Sequence, residues 1–260
     1  MPASQLQNRA GLAGAAVAIV ATFVVPVWVV QPGDWEWGWA ASAIGLTVFC
    51  LCIGVAVNGR PTGIFIDPRN HMSLSKLQAA AWTILILSAW IAFVVTRARL
   101  HAQTAEAVNL PNDLLAAMGI SATSLVATPV ILSLKAPDTV HTNDAPGDAR
   151  WMDLFQGDEN GNAYSADLGK IQQFLITVVV LGIYAGDIWT TLSAKPALMA
   201  NSKDINFDAY LSTLPVFNAN LTWLIGISHA GYLAYKAAPH PASPSTTAAN
   251  APDGDDVAAG

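Results

Sequence analysis

Two stretches of this chain repeat one another, and each holds a pair of apolar runs long enough to cross a bilayer. The first runs from Leu74 to Lys135 and the second from Leu168 to Lys236. One opens Leu74-Ser75-Lys76-Leu77-Gln78 and the other Leu168-Gly169-Lys170-Ile171-Gln172. Without a gap, Thr83 then matches Thr177, Leu87 matches Leu181 and Trp90 matches Tyr184. Each copy reaches a Leu-Pro, at Leu110-Pro111 and Leu214-Pro215, and a Gly-Ile-Ser, at Gly119–Ser121 and Gly226–Ser228. A chain built this way is expected to be all-α: a six-span transmembrane helical bundle containing a tandem duplication of a two-helix unit.

Composition agrees with a lipid environment. Of 260 residues 53% are hydrophobic and 12% charged, about half the charged share of a soluble domain. The charges gather in short segments between the apolar runs. The net charge of −6 sits largely in one acidic loop and the C-terminal tail. Neither a basic run nor an aromatic-rich basic face is present, so nucleic acid is not an expected partner. Cys50 and Cys52 lie two apart in an apolar run, a spacing that points them to different helix faces; they read as small apolar residues.

In chain order, 1–10 is a polar lead and 11–57 a transmembrane hairpin, with spans at Gly11–Val30 and Trp39–Val57. Gly11–Val30 is longer than a signal-peptide core of roughly 7–15 residues, so an uncleaved first span is expected. Trp35, Trp37 and Trp39 mark the interface between the two spans. The first repeat, 74–135, holds spans at Leu74–Val95, with Ser73 or Ser75 as N-cap, and at Leu110–Leu134, where Pro129 calls for a kink or a compensating neighbour. An acidic loop follows at 136–167; its stretch Arg150–Phe155 is amphipathic, suited to the membrane surface or to docking on the repeat. The second repeat, 168–236, holds spans at Leu168–Thr190 and Leu214–Tyr235. The tail, 237–260, is rich in Ala, Pro, Ser, Thr and Asp and is expected to be disordered.

Six spans place both ends on one side. With the N-terminus inside, the inner segments hold Arg9, Arg60, Arg69, Lys76, Lys135, Arg150, Lys170 and Lys236, and the outer ones Arg97, Arg99, Lys195 and Lys203. That excess favours cytoplasmic termini. An even number of spans per copy implies a pseudo-two-fold along the membrane normal rather than an inverted repeat.

Few residues carry chemistry. Lys76 with Gln78, and Lys170 with Gln172, stand at the cytoplasmic mouth of spans three and five. They are either snorkelling helix-end residues or a paired polar ring. His229 is the deepest ionisable group, 14 residues past Pro215, about 21 Å along a continuous helix; it either hydrogen-bonds a facing helix or lies on a proton or ion path. Asp187 is expected at the outer interface. Gly119, Ser121, Gly226, Ser228 and Gly231 form small-residue faces suited to helix packing. Asp158–Asn162 resembles the start of a calcium loop but lacks the required glycine and final glutamate, with Ala163 and Gly169 in those places. No metal, cofactor or catalytic motif appears.

The segment Ser73–Gln78 with Trp82-Thr83, and the segment Gly226–Leu233, resemble a family of bacterial multi-pass membrane proteins with a Ser-Lys-Leu-Gln opening and a Gly-Ile-Ser-x-Ala-Gly-Tyr ending. The resemblance spans roughly Leu74 to Lys236. It implies a bacterial inner-membrane location and no site residues. The functional expectation is a non-enzymatic scaffold or membrane module of a larger complex, partnered by lipid and by other proteins or further copies of itself. The competing expectation is a channel or transporter for an ion or small solute with His229 on the pathway.

Overall fold

A computed structural model of the chain describes residues 3–29, 34–100, 104–194, 209 and 211–240. Six α-helices appear in them: α1 (Ala3–Val29), α2 (Trp35–Asn58), α3 (Leu74–Arg99), α4 (Asn112–Ser133), α5 (Leu168–Ser193) and α6 (Ala219–Ala237). The first five are long and apolar enough to cross a membrane. α6 has 19 residues and is not among them, because Asn220, His229 and Lys236 dilute its apolar content. The sixth run also starts later than its sequence implies, since Leu214–Asn218 is not helical and Asn218 caps the helix through Asn220 N. Conversely, α1 begins at Ala3, so most of the polar lead is helical, and the three tryptophans stand in the first turns of α2. The tail beyond His240, and most of the segment joining α5 to α6, lie outside the described residues.

α3 is the centre of the bundle: half of its span is buried, against 22–28% for the other four. It packs on α2, α4 and α5, while α6 lies against α4 and α5. The core beneath is apolar and aromatic. Trp82 of α3 and Tyr184 of α5 both stand edge-on to Phe217, at 6.0 and 5.4 Å, a favoured ring geometry. α1 reaches the rest mainly through α2. Glycines make that hairpin tight, as at Gly11, where an added Cβ would fall 2.6 Å from the backbone of Ala56.

α3 and α5 each run for 26 residues from the first position of the repeat. Their caps are equivalent: Ser73 accepts from Lys76 N, and Asp167 from Lys170 N. Ahead of α4 and α6 the two Leu-Pro segments run side by side in a parallel bridge between Asn109 and Thr213. Asn109 N donates to Ser212 O at 2.8 Å and Leu214 N to Asn109 O at 3.0 Å.

Two loops close the opposite end, where α2, α4 and α6 finish and α3 and α5 begin. Asn70, at φ 61°, and Asn143 exchange side-chain hydrogen bonds with each other's carbonyls at 2.8 and 2.9 Å. Arg60 donates to the carbonyls of Pro146, Gly147 and Ala149. The N-terminal helix joins this end through Gln7, which donates to the carbonyl of Gly59, the left-handed C-cap of α2. Phe65, Ile66, Met72, Leu74, Ala149 and Leu154 form a second small core under the loops. The amphipathic stretch docks here: Leu154 is buried and Phe155 meets Phe174 of α5 edge-on at 5.1 Å, while Trp151 and Met152 face outward.

Candidate functional site

Polar side chains inside the bundle form one seam that joins all four helices of the repeat region. Gln78 of α3 donates to Thr177 Oγ1 of α5 at 2.7 Å, and Gln173 Nε2 donates to Gln78 Oε1 at 2.9 Å. The same Gln173 nitrogen lies 3.2 Å from His229 Nδ1 of α6, and Ser124 Oγ of α4 lies 2.6 Å from that Nδ1. Ser75 and Thr128 pair at 3.1 Å across α3 and α4. All of these groups are buried. In this arrangement the Gln173 amide donates, and Nδ1 of His229 is the acceptor in that contact. Four buried atoms along this seam lack a hydrogen-bond partner among the described residues: His229 Nε2, Gln173 Oε1, Ser121 Oγ and Ser228 Oγ.

The structure does not bring Lys76, Gln78, Lys170 and Gln172 together at the helix mouths. Gln78 faces inward, but Gln172 is exposed and its neighbour Gln173 takes the interior place. The lysines part as well. Lys76 Nζ donates to Ile66 O at 2.6 Å, whereas Lys170 is buried and donates to the carbonyls of Asp153 and Gln156 and to Asp158 Oδ1. Because α6 starts at Ala219, His229 stands about 15 Å into its helix, near the middle of it. Ser121 and Ser228 are buried and a Cβ added on Gly226 would stand 3.6 Å from Ile120, but Gly119 and Gly231 have nothing within 4 Å of an added Cβ. Those two glycines face away from the bundle. Asp187 is exposed.

Asp158 emerges as the polar centre of the loop-capped end. Its carboxylate meets Lys236 at 2.6 Å, Arg69 at 2.8 Å and Lys170 at 3.1 Å, with every partner largely buried. Burial alone would push this carboxyl up; Lys236, Lys170 and Arg69 outweigh it and hold it well below the ordinary carboxylate range. A second cluster beside it joins Glu159 to Lys135 and to His240, and Lys135 also donates to Ala238 O at 2.7 Å. The acidic loop therefore spends its buried charges on tying α6 and α4 to α5 and to the preceding loop. Its resemblance to a calcium loop ends in ion pairs: both oxygens of Asp158 face cations. Among the described residues no cluster of histidine, cysteine and carboxylate suits a metal ion.

No family model, curated protein or solved structure matches this chain.

Chemically, the seam couples α3, α4, α5 and α6 through buried hydrogen bonds. Ser124 and His229 stand at the distance of a nucleophile and its base. Yet both are enclosed, Nδ1 is shared with Gln173, and three large cavities among the described residues, of about 450, 700 and 490 Å³, are lined by neither residue. The outer surface offers something different. Gly182 and Gly186, one turn apart on α5, are exposed, and an added Cβ on either meets nothing within 4 Å. They leave an open notch between exposed Val178, Val179 and Ile183.

Proposed function

We propose that this chain is a non-enzymatic, six-span module of a bacterial inner membrane, built around a duplicated two-helix unit, and that it works by assembling with a second copy or with another membrane protein. One observation carries the reading: the hydrogen bonds that buried polar side chains make inside the bundle run between the chain's own helices, while α5 presents an unfilled Gly182-x-x-x-Gly186 notch outward. Small residues four apart let the backbone of a second helix approach closely in lipid. A sixth span is supported by how α6 sorts its residues. Ser228, His229 and Lys236 point inward, and Trp223, Leu224 and Ile227 point out. Cytoplasmic termini are supported by the lysines and arginines gathered at the loop-capped end.

The test is native mass spectrometry after extraction in mild detergent. The wild-type chain should appear in an assembly, and Gly182→Ile should release it as a folded monomer. A wild-type monomer, or an assembly indifferent to Gly182→Ile, contradicts the proposal.

A second reading, permeation through the repeat core, draws on the four unpartnered polar atoms around His229 and Gln173. Solute or proton flux into liposomes that falls with His229→Ala favours it, and absent flux removes it.

A further inference from the structure

A cavity of about 450 Å³ opens where the outer face of α4 meets the loop cap. Its floor is apolar, from Leu125, Pro129 and Leu132. That floor continues onto α4 residues that face outward, with Val130 and Leu134 exposed by 52% and 82%. Its rim is cationic: Arg69, Lys76 and Lys135 against the single carboxylate of Asp67. The rim stands level with the first turn of α3 and the last turn of α4, which is where an interface between hydrocarbon and headgroups would lie.

The three cations are not equally engaged. Arg69 is held by Asp67 and Asp158, and Lys135 by Glu159. Lys76 makes one hydrogen bond, to the carbonyl of Ile66, and has no carboxylate partner among the described residues. An ammonium has three donors. Lys76 therefore brings to the cavity a positive charge that no described residue neutralises, half-buried above an apolar trough. The hydroxyl of Ser73, which accepts from Lys76 N, keeps its own proton to donate.

We propose that this cavity is a binding site for one anionic phospholipid, its phosphate on Lys76 and Ser73 and an acyl chain along Leu125, Pro129 and Leu132. Apolarity alone would accept any acyl chain. The unneutralised lysine selects the anionic headgroup, as basic pockets between spans on the cytoplasmic side do. The site rests on the membrane-spanning reading but is independent of the assembly through α5.

The experiment uses the full chain purified in mild detergent and exchanged against mixtures of phosphatidylglycerol and phosphatidylcholine. Retained lipid is counted by native mass spectrometry, with flotation on liposomes as a separate check of membrane insertion. The wild type should retain one phosphatidylglycerol in preference to phosphatidylcholine. Lys76→Gln should reduce that preference about fivefold, the scale of one lysine near a headgroup. Thr142→Trp, which fills the cavity from its exposed rim, should displace the lipid while leaving the fold intact. Arg9→Gln, a charge change at the same end outside the cavity, should change nothing. Equal retention of both lipids, or equal losses from Lys76→Gln and Arg9→Gln, overturns the site. Failure to float with liposomes would instead overturn the membrane reading beneath it.

Discussion

Replacing Asp158 by asparagine should be among the most damaging single changes available to this protein. The carboxylate is the shared counter-ion of three cations. Arg69 keeps Asp67, at 2.7 Å, when Asp158 is lost. Lys170 keeps two backbone carbonyls but no carboxylate. Lys236 keeps Tyr232, its ring 5.0 Å away, but no carboxylate. Asp158→Asn would thus leave two ammonium groups, with side chains 5% and 4% exposed, without an anion. Breaking a buried pair by removing one partner costs about 3–5 kcal/mol, and here one removal strands two charges, so the upper half of that range is expected. Removing a single cation should cost less: in Lys236→Met the carboxylate still has Arg69 and Lys170. The assay is reversible unfolding by a denaturing detergent added to mild-detergent micelles, followed by tryptophan fluorescence. The double variant Asp158→Asn with Lys236→Met should be more stable than Asp158→Asn alone, because one stranded charge is gone. If Asp158→Asn lies within about 0.5 kcal/mol of wild type, the scale of an ordinary surface substitution, Asp158 is not the hub described.

Other outcomes follow from the same structure. Gln78→Leu, which unlinks Thr177 and strands Gln173, should cost about 0.6–1.7 kcal/mol, the measured span for interhelical hydrogen bonds in membranes, read in the same unfolding assay. Gly11→Val should cost about 1–3 kcal/mol by overpacking, since its Cβ would sit within 2.9 Å of three Ala56 atoms; Gly231→Ala, with open space around it inside α6, should not destabilise. Stability should also fall with acid through His71, whose imidazole is pushed down by burial first and by Arg69 second. The unfolded chain takes up this proton near pH 6.5 and the folded chain only at lower pH. The contribution is therefore complete above about 6.5 and is lost as the pH drops through the interval below. His71→Gln should flatten that part of the profile. The Asp158 contribution should be lost only below the ordinary carboxylate range, as the pH falls through its depressed value.

The helical architecture was legible in the sequence, because long apolar helices announce themselves by length and composition. The starts of α3 and α5 fall where the two matching openings place them, and of the two caps the sequence offers, Ser73 and Ser75, Ser73 is the one used. The site was less legible. Aligning the copies pairs Gln78 with Gln172, but α5 buries Lys170, Gln173, Thr177, Val180 and Tyr184, a stripe one residue away from the aligned one. The signal lay in the three-and-four spacing of that stripe, since α3 is enclosed on more sides than α5 and tolerates a different rotation. Asp158 was hidden for another reason. A loop carboxylate between Gly157 and Glu159 reads as solvated, and only the folding of two distant loops onto the helix ends brings Arg69, Lys170 and Lys236 around it. The late start of α6 was concealed by Leu214 and Phe217, which are buried as extended chain and look in sequence like part of a span.

The central claim is that the open face of α5 meets another helix in the membrane. Cysteine crosslinking tests it most directly, with Gly186→Cys placed in a chain whose Cys50 and Cys52 are changed to serine and the oxidant applied to native membranes. The account predicts a crosslinked species from Gly186→Cys and none from Ile188→Cys, whose position is buried. Only monomer from Gly186→Cys would contradict a second copy on that face, and the same product from both variants would contradict the face itself.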